Sequence, residues 1–164
     1  SVEKELINEL YKIDSVDLDT TVDIRYGNGK CSDYELFENS SSILNKVEKE
    51  LIEIMSGAVK SEIFIIESFF NILRTGSGLT SHNHLNEFDE SHKLTNKKYS
   101  LTYYLSVGDQ NCNEPGILKL FDPEIKILPS PGTIVIFPAS RQHSATYGGK
   151  TDRVMIGVNF YSLN

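Results

Sequence analysis

Positive charge is scarce in this chain of 164 residues: 16 lysines and arginines face 23 aspartates and glutamates, for a net charge of −7. The basic residues form no stripe, so nucleic acid is not an expected partner. Long apolar runs are missing as well. None approaches the roughly 20 residues of a membrane-spanning helix, so no membrane partner is expected. Cysteine is limited to Cys31 and Cys112, which form no metal or redox motif. Each is expected to be a reduced thiol in a cytoplasm-like compartment. The opening Ser1-Val2-Glu3-Lys4-Glu5 lacks the charged-then-apolar layout of a secretory signal, in keeping with a cytoplasmic location. There are no internal repeats and no linker-like stretch, so residues 1–164 read as one domain. Apolar residues make up 39% and charged residues 24%, the balance of a soluble globular chain.

Histidine is scarce too, and its placement is informative. Of four histidines, three lie in Ser81-His82-Asn83-His84 and Arg141-Gln142-His143. The fourth, His92, reads as a loop residue. His82 and His84 stand at i, i+2. On a helix they would diverge; on an extended segment they share a face, roughly 7 Å apart. Two such imidazoles can hold a metal if a third ligand arrives from elsewhere, and His143 is the candidate.

The rest of the chain reads as helices followed by strands. Leu6, Ile7, Leu10 and Tyr11 form one stripe of a first helix over residues 3–12. Two short alternations, Val16 to Leu18 and Val22 to Tyr26, read as an edge strand or ordered loop ending in the turn Gly27-Asn28-Gly29. One of Ser40, Ser41 or Ser42 caps a second helix that runs to about Met55, with Gly57 as its stop. From Ser61 the period changes. Ile63 to Leu73 is strand-like, Gly76-Ser77-Gly78 a turn, and Leu79 to His84 extended. The polar run Asn86 to Lys98 is long enough for a mobile lid over a site. Tyr99 to Val107, Ile117 to Phe121, Ile125 to Leu128, a buried run Thr133 to Phe137, Gln142 to Thr146 and Arg153 to Tyr161 follow, separated by Pro/Gly turns. Val154, Ile156, Val158 and Phe160 share a face in the last. About eight short strands so punctuated predict a mainly β fold, a barrel or double-sheet jelly roll over residues 61–164, with residues 1–60 as helical support.

An ordered series of segments runs from Thr80 to Tyr161. It comprises Ser81-His82-Asn83-His84, Tyr103-Tyr104-Leu105-Ser106, Pro115 to Phe121, Pro131-Gly132-Thr133-Ile134-Val135-Ile136-Phe137-Pro138, His143, and Arg153 to Phe160. In this order they resemble the iron(II)- and 2-oxoglutarate-dependent oxygenases, nearest the branch of prolyl hydroxylases and small bacterial and phage proteins. The resemblance implies a double-stranded β-helix, a jelly roll with N-terminal supporting helices. It implies a hydroxylase that couples decarboxylation of 2-oxoglutarate to oxidation of a substrate by O₂, with ascorbate admitted as an auxiliary reductant.

By the same resemblance, His82 matches the first histidine of an H-x-D/E motif and His143 the distal histidine. His84 stands where the family usually has a carboxylate. The run His82-Asn83-His84-Leu85-Asn86 resembles an H-x-H-x-N pattern within the family, so His84 is expected as the third ligand; the alternative is a carboxylate from Glu87, Asp89 or Glu90. Imidazole is a competent iron ligand, and three facial ligands leave three open positions. Arg153, ten positions after His143, matches the arginine that binds the far carboxylate of 2-oxoglutarate, which a guanidinium can grip through two parallel hydrogen bonds. Tyr104 matches the tyrosine that supports the same carboxylate. Arg141 either touches substrate or is a solvated charge. The substrate class stays open between a small molecule and a protein residue, because substrate contacts in such a fold come from variable loops. Two competing expectations remain: a cupin-like three-histidine dioxygenase without 2-oxoglutarate, which would have no use for a buried Arg153, and a jelly roll that binds a partner and no metal.

Overall fold

The computed structural model describes residues 2–18 and 25–164, the side chains of Val2 and Arg25 excepted. It begins with α1 (Val2–Leu10), followed by short strands β1 (Val16–Asp17), β2 (Arg25–Tyr26) and β3 (Gly29–Cys31), and then α2 (Ser42–Val59). The remaining elements are β4 (Ile63–Leu73), β5 (Ser77–His82), α3 (Glu87–Ser91), β6 (Lys98–Ser106), β7 (Pro115–Leu120), β8 (Ile125–Ile127), β9 (Ile134–Pro138), β10 (His143–Tyr147) and β11 (Arg153–Ser162). A six-stranded sheet has the order β1-β3-β4-β11-β6-β9, and a five-stranded sheet the order β2-β5-β10-β7-β8. From β4 onward the chain passes back and forth between the two sheets, with antiparallel neighbours in each. This is the jelly roll expected from the strand pattern.

The long strand β11 lies between β4 and β6 and separates two environments by its alternation. Val154, Ile156, Val158 and Phe160 face outward and meet Leu6 and Leu10 of α1 and Leu44, Val47, Leu51 and Met55 of α2 in one buried cluster. Each fully buried side chain of this kind contributes about 1.5–3 kcal/mol. The helices therefore seal the outer face of the large sheet. Arg153 and Met155, on the opposite face, point into the space between the sheets.

Several local expectations need correction. Tyr11 does not join the α1 stripe; it lies past the helix end and is exposed. Ser41 caps α2, its Oγ accepting from the Leu44 N–H. Gly57 does not stop that helix, which continues to Val59 and ends at Lys60 in the left-handed region, φ 53°. The helical support also carries β1, β2 and β3, which join the sheets. The alternation from Val22 falls partly at 19–24, outside the described residues. Gly76-Ser77-Gly78 is not wholly a turn, since β5 starts at Ser77. In β9 only Phe137 is buried, because this strand is the edge of its sheet.

The expected lid is a different object. Residues 87–91 form α3, which starts with a reciprocal cap between Asn86 and Asp89. The Asp89 carboxylate is wholly buried. It accepts from Lys98 Nζ at 2.9 Å, from the Asn86 N–H at 2.9 Å and from the Tyr161 hydroxyl. Burial works to raise the Asp89 pKa, but the Tyr161 and Lys98 hydrogen bonds, the Asn86 N–H and the Lys98 charge overcome it, and the net shift is downward. A segment pinned by a buried ion pair is an anchored strap and not a free loop.

Candidate functional site

The two ends of the inter-sheet space are built differently. At one end, β5 finishes on His82 and β10 begins on His143, and the two residues are register partners across the ladder. Antiparallel pairing thus brings together two imidazoles that are far apart in sequence. His84 lies beyond the end of β5, so the pair does not share one extended segment as expected. The chain instead turns it inward. The His84 N–H donates to the Ala139 carbonyl at 2.9 Å, and the Asn83 side chain accepts from the Leu85 N–H at 3.1 Å. Ring centroids lie 4.1 Å apart for His82 and His143, 4.9 Å for His82 and His84, and 4.7 Å for His84 and His143.

This trio is the one cluster of three or more potential metal ligands among the described residues, with its ligand atoms within 4.8 Å of one another. The His84 and His143 Nε2 atoms are 3.0 Å apart. Two nitrogens bound at right angles to one ion, at about 2.1 Å each, would be separated by about 3.0 Å. His82 Nδ1 lies 2.7 Å from the Thr80 carbonyl and His143 Nδ1 3.1 Å from that of Arg141. A carbonyl can only accept, so each Nδ1 carries the proton and each Nε2 the lone pair. Burial, then the nearby His82, pull the His143 pKa down to about 4, against the Arg141 carbonyl, which acts to raise it. His143 is therefore neutral near pH 7, the form a metal needs.

The acidic alternatives lie elsewhere. Asp89 is engaged by Lys98 and Tyr161, and Glu87 and Glu90 are exposed on α3. None belongs to the cluster. His92 ends α3 and stacks on Phe88. Arg141 braces the turn after β7, donating to the Phe121 and Pro123 carbonyls at 2.8 Å each.

At the other end lies Arg153, 2% exposed. Its guanidinium carbon is 5.0 Å from the centre of the Tyr104 ring, and Tyr104 is itself buried. Burial lowers the arginine's pKa from its ordinary value, while Tyr104 and Tyr147 act to raise it. Gly116 makes room for the group: a Cβ there would come within 3.2 Å of Arg153 Nη1, and φ is +87°. Among the described residues, Arg153 Nε and Nη1 have no hydrogen-bond partner, nor has the buried Thr102 Oγ1. All three atoms belong to residues lining the cavity that the histidines close. The cavity has a volume of about 100 Å³ and is open to solvent at its mouth. Buried donors without partners are rare and costly. Their presence here fits an acceptor-rich ligand, such as a carboxylate, held between Arg153 and the histidines.

Sequence reasoning singled out His82, His84, His143, Tyr104 and Arg153, and the fold brings all five to one cavity. It missed Thr102, Glu67, Phe69, Asn71 and Tyr34 in the lining. Thr102 was within reach by strand alternation, two positions from Tyr104. Glu67, Phe69 and Asn71 alternate on β4 in the same way, but which face of β4 looks inward depends on its pairing with β11.

Residues 70–161 match the family model described as 2OG-Fe(II) oxygenase superfamily. Among solved structures, the viral collagen prolyl hydroxylase vCPH from Paramecium Bursaria Chlorella virus-1, in its 2OG complex, is 13% identical, with 99% of this chain and 90% of that chain covered and a TM-score of 0.72. A Pseudomonas putida prolyl-4-hydroxylase is 16% identical, with 99% and 87% covered and a TM-score of 0.70. HygX from Streptomyces hygroscopicus, with nickel and 2-oxoglutarate bound, is 12% identical, with 99% and 78% covered and a TM-score of 0.74. At such identities the likeness shows a shared fold. No curated protein matches the sequence.

Proposed function

This chain belongs to the 2OG-Fe(II) oxygenase superfamily, and we propose that it is a hydroxylase whose iron is held by His82, His84 and His143. In the same proposal Arg153 and Tyr104 hold the far carboxylate of 2-oxoglutarate. The observation that carries this reading is the two-ended cavity, with three converging imidazoles at one end and a buried guanidinium with unpartnered N–H groups at the other. What iron supplies when bound is O₂ chemistry: 2-oxoglutarate loses CO₂ and becomes succinate with one oxygen atom, while the other enters a substrate C–H bond to give an alcohol.

The chain's own residues prepare that reaction. The Thr80 and Arg141 carbonyls hold two imidazoles in the tautomer that aims Nε2 inward. Arg153 fixes one end of the cosubstrate, and Thr102 offers a further hydrogen bond along its length. Phe69, Leu118 and Met155 keep the walls apolar, which strengthens the charged contacts. Three neutral imidazoles leave the centre at 2+, where a carboxylate ligand would leave 1+, and so favour the dianionic cosubstrate. The cupin-like alternative gives Arg153 no role, and family membership weighs against it. Prolyl hydroxylases of like fold support the reaction type; the substrate is a protein residue or a small molecule. Neither cysteine is in a disulfide, which supports a cytoplasmic location, and no helix of the described residues is long and apolar enough to cross a membrane.

The test is metal titration. Loss of one of three ligands in His84→Ala or His143→Ala should weaken Mn(II) or Fe(II) binding by about tenfold or more. Glu87→Ala should bind as wild type. If Glu87→Ala loses the metal while His84→Ala keeps it, the three-histidine assignment is wrong.

A further inference from the structure

The inward face of β4 presents Glu67, Phe69, Asn71 and Leu73 to the cavity. Leu73 pairs with Arg153 and Glu67 with Asn159. Six residues of strand, roughly 20 Å, therefore separate Glu67 from the arginine end. Glu67 therefore lines the cavity away from the strand position of Arg153. It lies outside the cluster that could hold a metal.

Its charge has no ion-pair partner among the described residues. Glu67 belongs to none of the ion pairs Arg74–Asp152, Lys98–Asp89 and Lys126–Glu124. Lys98, the cation buried nearest this side, is engaged by Asp89. Glu67 is half-buried and makes no hydrogen bond or ion pair through its side chain with the described residues. A carboxylate so placed costs free energy unless a ligand answers it.

An aromatic wall stands beside it. Phe69 is on the same strand face, and Tyr34 meets it edge to face with ring centroids 5.5 Å apart. Tyr34 is held there by its backbone, its carbonyl accepting from the Ser68 N–H at 3.0 Å, while the residue as a whole is 41% exposed. The Phe69 ring occupies the space that a side chain at residue 157 would need: a Cβ on Gly157 would lie 2.3 Å from it. A carboxylate next to aromatic faces is the chemistry that receives an organic cation, through charge-assisted hydrogen bonding and cation–π attraction.

We propose that Glu67, with Tyr34 and Phe69, selects a substrate that carries an ammonium or guanidinium group. This rests on the reading of the histidine end as the iron site, which sets where the substrate must lie. The cation belongs either to a free small molecule or to a lysine or arginine in a peptide.

Ligand-observed NMR titrations on protein loaded with Mn(II) and a non-reacting 2-oxoglutarate analogue test it. The small probes are butylguanidine and butylamine against neutral butylurea. The peptide probes are capped Gly-Arg-Gly and Gly-Lys-Gly against capped Gly-citrulline-Gly. A cation should bind at least about tenfold more tightly than its neutral counterpart, and Glu67→Gln should abolish that preference while leaving the Mn(II) and 2-oxoglutarate affinities unchanged. Tyr34→Leu, which keeps the backbone contact, should reduce the preference several-fold. Preference among the small probes alone identifies a free amine or guanidine; preference among the peptides alone identifies a basic residue. Equal binding of cation and neutral probe in both sets overturns the inference, as does a preference that survives Glu67→Gln. Failure of Mn(II) or 2-oxoglutarate to bind, with the cation preference intact, would instead overturn the assignment of the iron site.

Discussion

Replacing Arg153 by methionine should raise the stability of the ligand-free protein and remove its response to 2-oxoglutarate. The arginine is a buried cation with two donor nitrogens, Nε and Nη1, that have no partner among the described residues. Each unsatisfied buried donor costs about 1–3 kcal/mol. Methionine retains much of the packing volume and carries no charge. Loss of the contact with the Tyr104 ring offsets about 0.5–2 kcal/mol of the gain. A net stabilisation of about 1.5–4 kcal/mol follows, in line with the replacement of buried ions elsewhere. The cosubstrate response moves the other way. At a concentration of about 100 times Kd, a ligand stabilises the folded state by about 2.7 kcal/mol. A charge-assisted contact of about 1.5–3 kcal/mol lost from Arg153 raises Kd roughly thirtyfold, and the same concentration then contributes only about 0.9 kcal/mol. For a chain of this size, the difference of about 2 kcal/mol appears as a 2-oxoglutarate-induced Tm shift smaller by about 4–8 °C. Differential scanning fluorimetry in Mn(II), with and without 2-oxoglutarate, reads both quantities. A variant that melts lower than wild type without ligand, yet keeps the full ligand shift, refutes the placement of the cosubstrate on Arg153.

Gly116→Ala should weaken 2-oxoglutarate binding with Mn(II) affinity unchanged, because the added Cβ meets the Arg153 guanidinium and the residue sits at φ +87°; calorimetric titration of both ligands checks it, and parallel loss of metal would point to misfolding. Asp89→Asn should cost about 3–5 kcal/mol at neutral pH by stranding buried Lys98. The folded-state pKa of Asp89 is lowered below its ordinary value, so its contribution is complete above the usual carboxylate range and is lost as pH falls through the depressed value. Urea midpoints measured from pH 7 downward should therefore converge for wild type and Asp89→Asn below about pH 4, and parallel curves would contradict the role of the pair.

Much of this protein was legible before folding. The succession of strands along the chain, the α2 stripe and the outward row on β11 follow from periodicity, which is a local property set by backbone geometry. The three histidines and Arg153 stood out because their residue types suit a metal and a carboxylate, and because their order resembles one family. The lid was misread. Asn86 to Lys98 has the composition of a solvated loop, and nothing local shows that Asp89 will be wholly buried against Lys98 and Tyr161, the latter far along the chain.

What the sequence determined by itself is therefore the set of elements and the chemical candidates: an amphipathic α2, alternating strands, imidazoles at 82, 84 and 143, and a guanidinium at 153. What only the tertiary structure decided is which of these meet. Pairing of β5 with β10 sets His143 against His82, and the Ala139 carbonyl turns His84 toward them. The β4–β11 register decides that Glu67, Phe69 and Asn71 face the cavity, where a slip of one residue would have turned them outward. The physical reason is the same in each case. Alternation within a strand specifies two faces but not which one is inside, and that choice is made by non-local hydrogen bonds and by the helices that cover the outer face of the large sheet.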